Sequence, residues 1–306
     1  MASELFSDPA IDAHTHLGDI FFPDGGALVE RTGVAKERMV FDAISLLELL
    51  SFRTFGLYRM TKKLVVNAVH KRGLTGTREN MRKAMNEANV KYSVVLPIPP
   101  HVYFDDIRPA HENDGGIIPF TAIDYANMDE MPRKLAEDVK ADAKGMKLHP
   151  IVQGVPLTSR ETFQGVEEFS QYDLPILFHS GRFTYPRPTG SRANSGFGSI
   201  SDAEELVQAF PAVRFIAGHG GVMSADETIQ RLGRFKNVWL DTSTQTSKNT
   251  MKLMTAFGKD KVLYGSDWPF TSMAKSIESV VKACGNDRGL KRRILYDNAA
   301  ELLGIS

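Results

Sequence analysis

The sequence predicts one α/β domain of the (β/α)8 barrel type, and three observations carry that prediction. Short apolar runs alternate with amphipathic helices over most of the chain, eight such runs fit within 306 residues, and no Gly-x-Gly-x-x-Gly turn follows any of them. Continuous apolar strands alternating with helices imply a parallel sheet covered by those helices. Eight units in about 250 residues or more suit a closed barrel. A missing glycine-rich turn argues against an open doubly wound sheet. With no internal repeat or linker, residues 1–306 are expected to form a single domain.

The first run is Ile11-Asp12-Ala13-His14-Thr15-His16-Leu17-Gly18. Strand alternation places Asp12, His14 and His16 on one face and Ile11, Ala13 and Thr15 on the other. The interval from Asp19 to Gly76 does not read as strand. Lys36 to Phe52 carries Met39, Val40, Ala43, Leu46, Leu47 and Leu50 at helical spacing, and Tyr58 to Lys71 carries Leu64, Val65, Ala68 and Val69 likewise. These two form a helical insertion after strand one that could roof a site at that strand's end. Its basic residues, Arg59, Lys62, Lys63, Lys71 and Arg72, are expected on a solvated face.

The remaining runs are 93–96, 117–123, 145–149, 175–179, 213–219, 238–241 and 262–265. Helix starts between them are legible. Thr158-Ser159-Arg160-Glu161, Ser201-Asp202-Ala203-Glu204 and Ser224-Ala225-Asp226-Glu227 match the capping box. Pro132 suits the first turn of another helix.

Composition excludes several function classes. Apolar residues make up 42% and charged residues 24%, the profile of a soluble globular protein. Lys plus Arg and Asp plus Glu are both 37, so no net field points to nucleic acid or an anionic membrane. A single cysteine, Cys284, allows no intrachain disulfide and suits a reducing compartment. No signal-like start or membrane-length run is present, and a cytoplasmic location is expected.

The chemistry is suggested by where polar residues fall. His14 and His16 close strand one, Lys147 and His149 strand four, His179 strand five and His219 strand six, while Asp267 follows strand eight. A closed parallel barrel delivers all strand C-termini to one rim, so these residues are expected to share one site. His-x-His alone is weak evidence for a metal, because a histidine is often a satisfied core residue. Their common position at strand ends is the stronger signal.

The ordered set Asp12-Ala13-His14-Thr15-His16, His179, Gly218-His219-Gly220 and Gly265-Ser266-Asp267-Trp268-Pro269 resembles the amidohydrolase superfamily, in its amidohydrolase-related branch. The likeness extends to the closing Leu295-Tyr296-Asp297-Asn298-Ala299-Ala300-Glu301-Leu302-Leu303-Gly304. It implies a distorted barrel with one or two divalent metals at its C-terminal rim. It also implies that His14, His16, His179 and Asp267 bind metal and that His219 acts on the substrate. Imidazoles with a carboxylate suit zinc, and also manganese, iron or cobalt. Asp267 could take a proton from metal-activated water, and His219 could polarise a carbonyl or serve as acid and base. Asp12 is expected in a supporting role.

Lys147 has three readings: a carboxylated bridge between two metals, a cation facing a substrate carboxylate, which is preferred, and a buried ion pair. His149 is read as a substrate contact or an extra ligand. In the loop after strand five, Arg182, Arg187 and Arg192 offer planar forks, with Arg182 the candidate for an acidic substrate group. His101 and His111 are read as loop or surface histidines. The expected activity is metal-dependent hydrolysis of a small amide, ester or lactone. Alternatives are a non-oxidative decarboxylase or hydratase of the same branch and a non-catalytic binding barrel. A small-molecule substrate is expected, with neither nucleic acid nor membrane as partner, and a homodimer through Leu46 to Phe52 is suggested.

Overall fold

The computed structural model describes residues 8–35, 66–185 and 192–305. Among these residues, nine parallel strands alternate with helices: β1 Ala10–Thr15, β2 Val90–Val95, β3 Ile117–Pro119, β4 Thr121–Ala122, β5 Met146–Leu148, β6 Ile176–His179, β7 Phe215–Gly218, β8 Val238–Asp241 and β9 Val262–Leu263. The helices are α1 Arg78–Ala88, α2 Phe104–Asn113, α3 Met131–Lys140, α4 Pro150–Gln153, α5 Arg160–Ser170, α6 Ile200–Ala209, α7 Ala225–Leu232, α8 Ser247–Phe257, α9 Met273–Cys284, α10 Arg288–Arg292 and α11 Asn298–Leu303. The expected third run appears as β3 and β4, interrupted at Phe120.

The strands form a three-stranded sheet, β1-β2-β3, and a six-stranded sheet, β4 through β9 in order. Backbone hydrogen bonds bridge both seams. Lys144 N donates to Pro119 O at 2.9 Å, and Ala13 N donates to Tyr264 O at 2.9 Å. His16 N donates to Trp268 O at 2.8 Å, and Asp267 N donates to His14 O at 2.7 Å. The architecture is a distorted TIM barrel.

Alternation divides the strands between two cores. Ile176, Phe178, Phe215, Ala217, Val238 and Leu240 pack with helix residues such as Met81, Leu135, Val166, Leu206 and Leu253. Leu177, Ile216 and Leu263 instead join Ile11, Val94, Leu96 and Ile118 in a smaller cluster, the barrel interior, which ends on Ala299, Leu302 and Leu303 of α11. The polar rim lies at the opposite end of the same interior.

Strand β1 departs from simple alternation. Asp12 pairs with Ser93 and Thr15 with Val95, so β1 uses three steps where β2 uses two. One extra residue reverses which side chains face inward. Asp12 therefore falls on the side of Thr15, opposite His14 and His16, and the expected shared face is corrected. The Asp12 carboxylate accepts from Ser266 N at 2.9 Å and His14 N at 3.2 Å, tying β1 to the segment after β9.

The caps show smaller shifts. Ser159, one residue after the expected Thr158, caps α5 by accepting from Thr162 N, and α6 is capped by Ser199, with Ser201 already inside the helix. Ser224 precedes α7 without a side-chain cap bond, so that capping box is corrected. Pro132 does occupy the first turn of α3.

Residues 66–73 are helical, whereas Lys36 to Phe52, including the suggested dimer face, lie outside the described residues, as does Arg187. Arg72 is not solvated as expected: it is buried, and its Nη1 donates to Phe270 O at 2.7 Å. His101 is a loop residue but buried, while His111 sits half-buried in α2 and contacts Ile117 O through Nδ1 at 2.7 Å.

Candidate metal centre

Strand ends bring the expected polar residues to one opening. β1 supplies His14 and continues to His16, β5 supplies Lys147 and continues to His149, and β6 ends at His179. His219 follows β7, Asp241 ends β8, and Asp267 follows β9. All eight side chains are buried or nearly so. One ligand atom each from His14, His219 and Asp267 lie within 4.8 Å of one another. Asp267 Oδ1 is also 3.8 Å from His14 Nε2 and 3.4 Å from His16 Nε2.

Hydrogen bonds decide what each ring can offer. His14 Nδ1 lies 2.8 Å from Asp241 Oδ2, His16 Nδ1 3.0 Å from Leu96 O, and His219 Nδ1 2.8 Å from Ser243 Oγ. Carboxylate and carbonyl oxygens can only accept, and the Ser243 hydroxyl donates to Asp241, so each Nδ1 carries the proton. Each Nε2 then keeps a lone pair, the form in which imidazole binds a metal.

His149 is different in kind. Its Nδ1 accepts from Val152 N at 3.3 Å, as the N-cap of α4, so its proton sits on Nε2. This ring presents a donor. His179 stacks on it with centroids 4.4 Å apart and planes at 10°, and lies 4.7 Å from His219. The His179 ring nitrogens face Gly181 O, 3.0 Å from Nε2, and Tyr185 Oη, 3.4 Å from Nδ1. His179 thus lies in the same pocket with both nitrogens turned to the following loop.

Electrostatics keep the imidazoles neutral. Removal from water pushes His16 and His179 down to about 3 and holds His14, His149 and His219 well below 6.5. The Lys147 charge adds to the effect at His14, His16 and His179. Lys147 is itself fully buried, and burial pushes its amine down to about 7 against the pull of Asp241 and Asp267. Its Nζ lies 3.4 Å from His14 Nε2, among the candidate ligands. Burial also raises the Asp267 carboxyl well above its usual range, an effect opposed by Lys147.

Both Asp267 and His219 adopt left-handed backbone conformations, with φ of 62° and 60°. Non-glycine residues occupy this region at a cost of roughly 1 kcal/mol or more each, and such strain clusters at functional sites. Arg182 is exposed in the loop after β6. Asp241, Ser243 and Tyr185 were not singled out by sequence reasoning. Asp241 closes an apolar run just as His179 does, and that signal was present; Ser243 and Tyr185 lie in irregular segments with no periodicity to mark them.

The donor set fits a divalent cation. Three buried, neutral imidazoles offer Nε2 lone pairs near one carboxylate, and Asp241 supports the Nδ1 side of His14 in the carboxylate–histidine arrangement typical of metal sites.

Solved structures similar to this one share its fold at low sequence identity. A TIM-barrel protein from Bordetella bronchiseptica is 15% identical, with 96% of this chain and 99% of that chain covered and a TM-score of 0.69. A Pseudomonas putida protein provisionally assigned as a 2-pyrone-4,6-dicarboxylic acid hydrolase is 18% identical, with coverages of 97% and 98% and a TM-score of 0.62. The 5-carboxyvanillate decarboxylase of Novosphingobium aromaticivorans, solved with manganese, is 14% identical, with coverages of 99% and 97% and a TM-score of 0.64. A search of curated proteins returns no match. The family model described as Amidohydrolase matches residues 84–305, most of the chain. With that match and the barrel rim described above, the chain belongs to the amidohydrolase family, as a metal-dependent enzyme of its amidohydrolase-2 branch.

Proposed function

We propose that this enzyme hydrolyses a small amide, ester or lactone, one bearing a carboxylate, with a divalent metal held by His14, His16, His179 and Asp267. The observation that supports this reading is the convergence of the His14 and His16 Nε2 atoms on the Asp267 carboxylate. His179 joins the set by rotation of its ring away from Gly181 O. Zinc is our preferred ion, with manganese, iron or cobalt as alternatives, because histidine and carboxylate donors serve all four. A divalent cation bound here supplies Lewis acidity and makes water nucleophilic near neutral pH.

The chain's own groups supply the proton transfers. Asp267 accepts the proton of the attacking water, and its buried setting, which favours the protonated carboxyl, suits it to hold that proton. His219, protonated on Nδ1, offers Nε2 to take that proton from Asp267 and pass it to the leaving group, which returns Asp267 to its carboxylate form. His149 donates from Nε2 to a substrate oxygen. Lys147 stabilises a substrate carboxylate when protonated, and Arg182 meets an acidic group at the mouth. Phe21, Tyr185 and Phe270 form an aromatic wall beside these rings that excludes water: Phe21 lies 5.2 Å from both Tyr185 and Phe270. The one free cysteine, buried Cys284, accords with a cytoplasmic enzyme.

The same wall favours a second reading, decarboxylation of a flat aromatic acid, because an aromatic ring stacks well on such a surface. Elemental analysis of protein purified without chelator, followed by assays of the metal-loaded enzyme on lactones, amides and hydroxybenzoates, separates the readings. We expect bound divalent metal and hydrolysis. Decarboxylation alone overturns the ranking, and a chain that neither holds nor takes up metal overturns both.

A further inference from the structure

We infer that Asp241, Ser243 and Gln245, alternate residues of the segment leaving β8, form a bracket that fixes the tautomers of His14 and His219 from a single carboxylate. The inference rests on the metal-centre reading above and assigns positioning roles that reading does not contain. Asp241 Oδ2 takes the His14 Nδ1 proton at 2.8 Å. Asp241 Oδ1 accepts from the backbone N–H groups of His219 at 3.1 Å and Ser243 at 2.9 Å, and from the Ser243 hydroxyl. With that hydroxyl hydrogen committed, Ser243 Oγ can only accept from His219 Nδ1, 2.8 Å away.

Gln245 completes the grip. Its Nε2 donates to His219 O and Val222 O, each at 2.6 Å, while its Oε1 accepts from Asn249 Nδ2 at 3.0 Å in α8. His219 is therefore held at backbone N, ring Nδ1 and backbone O by residues two apart in sequence. This grip sustains a left-handed turn, with φ of 60°, 50° and 93° at His219, Gly220 and Gly221. All three holding side chains are buried, so water does not substitute for them.

The division of labour is specific. Asp241 acts on His14 directly and on His219 through Ser243; Ser243 Oγ also lies 3.4 Å from His14 Nδ1, a longer contact than the 2.8 Å to Asp241, so loss of the hydroxyl frees His219 and leaves His14 on its carboxylate, while loss of the carboxylate frees both. A neutral imidazole without a partner at Nδ1 exchanges its proton between the two nitrogens and withdraws the Nε2 lone pair part of the time.

The test is imidazole 15N NMR on the full-length, metal-free protein, comparing wild type, Ser243→Ala, Ser243→Thr and Asp241→Asn. We expect wild-type His14 and His219 to be protonated on Nδ1. Ser243→Ala should shift His219 toward a tautomer mixture and leave His14 unchanged, and Ser243→Thr should restore His219. Asp241→Asn should perturb both rings and weaken Mn2+ or Zn2+ binding about 10- to 100-fold by calorimetry. Wild-type rings protonated on Nε2, an unaltered His219 in Ser243→Ala, or equal disturbance of both rings by Ser243→Ala would each overturn the bracket. If Asp241→Asn does not fold, the wild-type and Ser243 spectra still decide. Failure of the wild type to bind metal would sink the metal reading alone, since the tautomers are read without metal.

Discussion

At the scale of single residues, the centre depends on polar groups that a barrel interior tolerates only when each is matched. Among the described residues, Asp267 is the one carboxylate facing the Nε2 atoms of both His14 and His16. Replacing it by Asn keeps the shape and removes the charge. We expect Asp267→Asn to lose at least 10-fold in metal affinity and about 1,000-fold or more in kcat/KM, with folding retained; metal analysis and steady-state rates on the same preparation check it. Lys147 is the counter-case. Its buried amine lies beside the lone pair of a candidate ligand, and the pull of Asp241 and Asp267 does not offset the effect of burial. Burying an amine is costly, and an apolar side chain of similar length is often tolerated or stabilising. Lys147→Met should raise the melting temperature of the metal-free protein while lowering activity on carboxylate-bearing substrates. A drop in both melting temperature and metal content would identify the amine as a ligand.

At the scale of elements, strand ends position the site and glycines make room for it. A Cβ on Gly218 of β7 would lie 2.9 Å from Phe178 O and 3.2 Å from His14 Cε1, and one on Gly265 would lie 3.0 Å from His14 Cβ. The imidazole of His14 fits because two neighbouring segments carry no side chain there. Gly218→Ala should force His14 off Asp241, costing about 1 to 3 kcal/mol in stability, the usual range for overpacking. It should weaken metal binding more than Ala substitutions on the helical layer do; unchanged affinity would show that His14 has slack. Sequence periodicity made most of these elements legible, since apolar runs of four to eight residues reappear as strands of two to six residues in the expected order. The reversal of Asp12 was not legible, because one extra residue against β2 is a property of strand pairing and leaves no trace in a single strand's pattern. Nor could sequence choose Ser199 over Ser201 as the cap of α6, because both carry a hydroxyl and the choice depends on where the preceding turn ends.

At the scale of the whole molecule, convergence of distant residues was legible and ring orientation was not. Strand order alone gathers His14, His179, His219 and Asp267, whereas the facing of each nitrogen depends on loops such as Gly181 to Tyr185 and Ser243 to Gln245. That gathering has a consequence for stability. His14, His16, His149, His179 and His219, together with His101, are held below 6.5 chiefly by burial and stay neutral in the fold. In the unfolded chain they return to about 6.5 and take up protons as the pH falls. Burial raises Asp12 to about 7 and also raises Asp19, Asp138 and Asp267, and these carboxyls work in the opposite direction by holding protons in the fold. Among the described residues, six imidazoles against four carboxyls leave the unfolded state with more protons between about pH 6.5 and 4. Each excess proton is worth about 1.4 kcal/mol per pH unit, so the metal-free protein should lose roughly 1 to 3 kcal/mol per unit of acidification in that window. Urea unfolding with chelator present, at half-unit steps from pH 8 to 4.5, measures the slope. A saturating divalent metal should move the decline to lower pH, because the ion occupies lone pairs that protons would otherwise take. Stability that stays flat or rises on acidification of the metal-free protein would mean that these imidazoles are not buried neutral together.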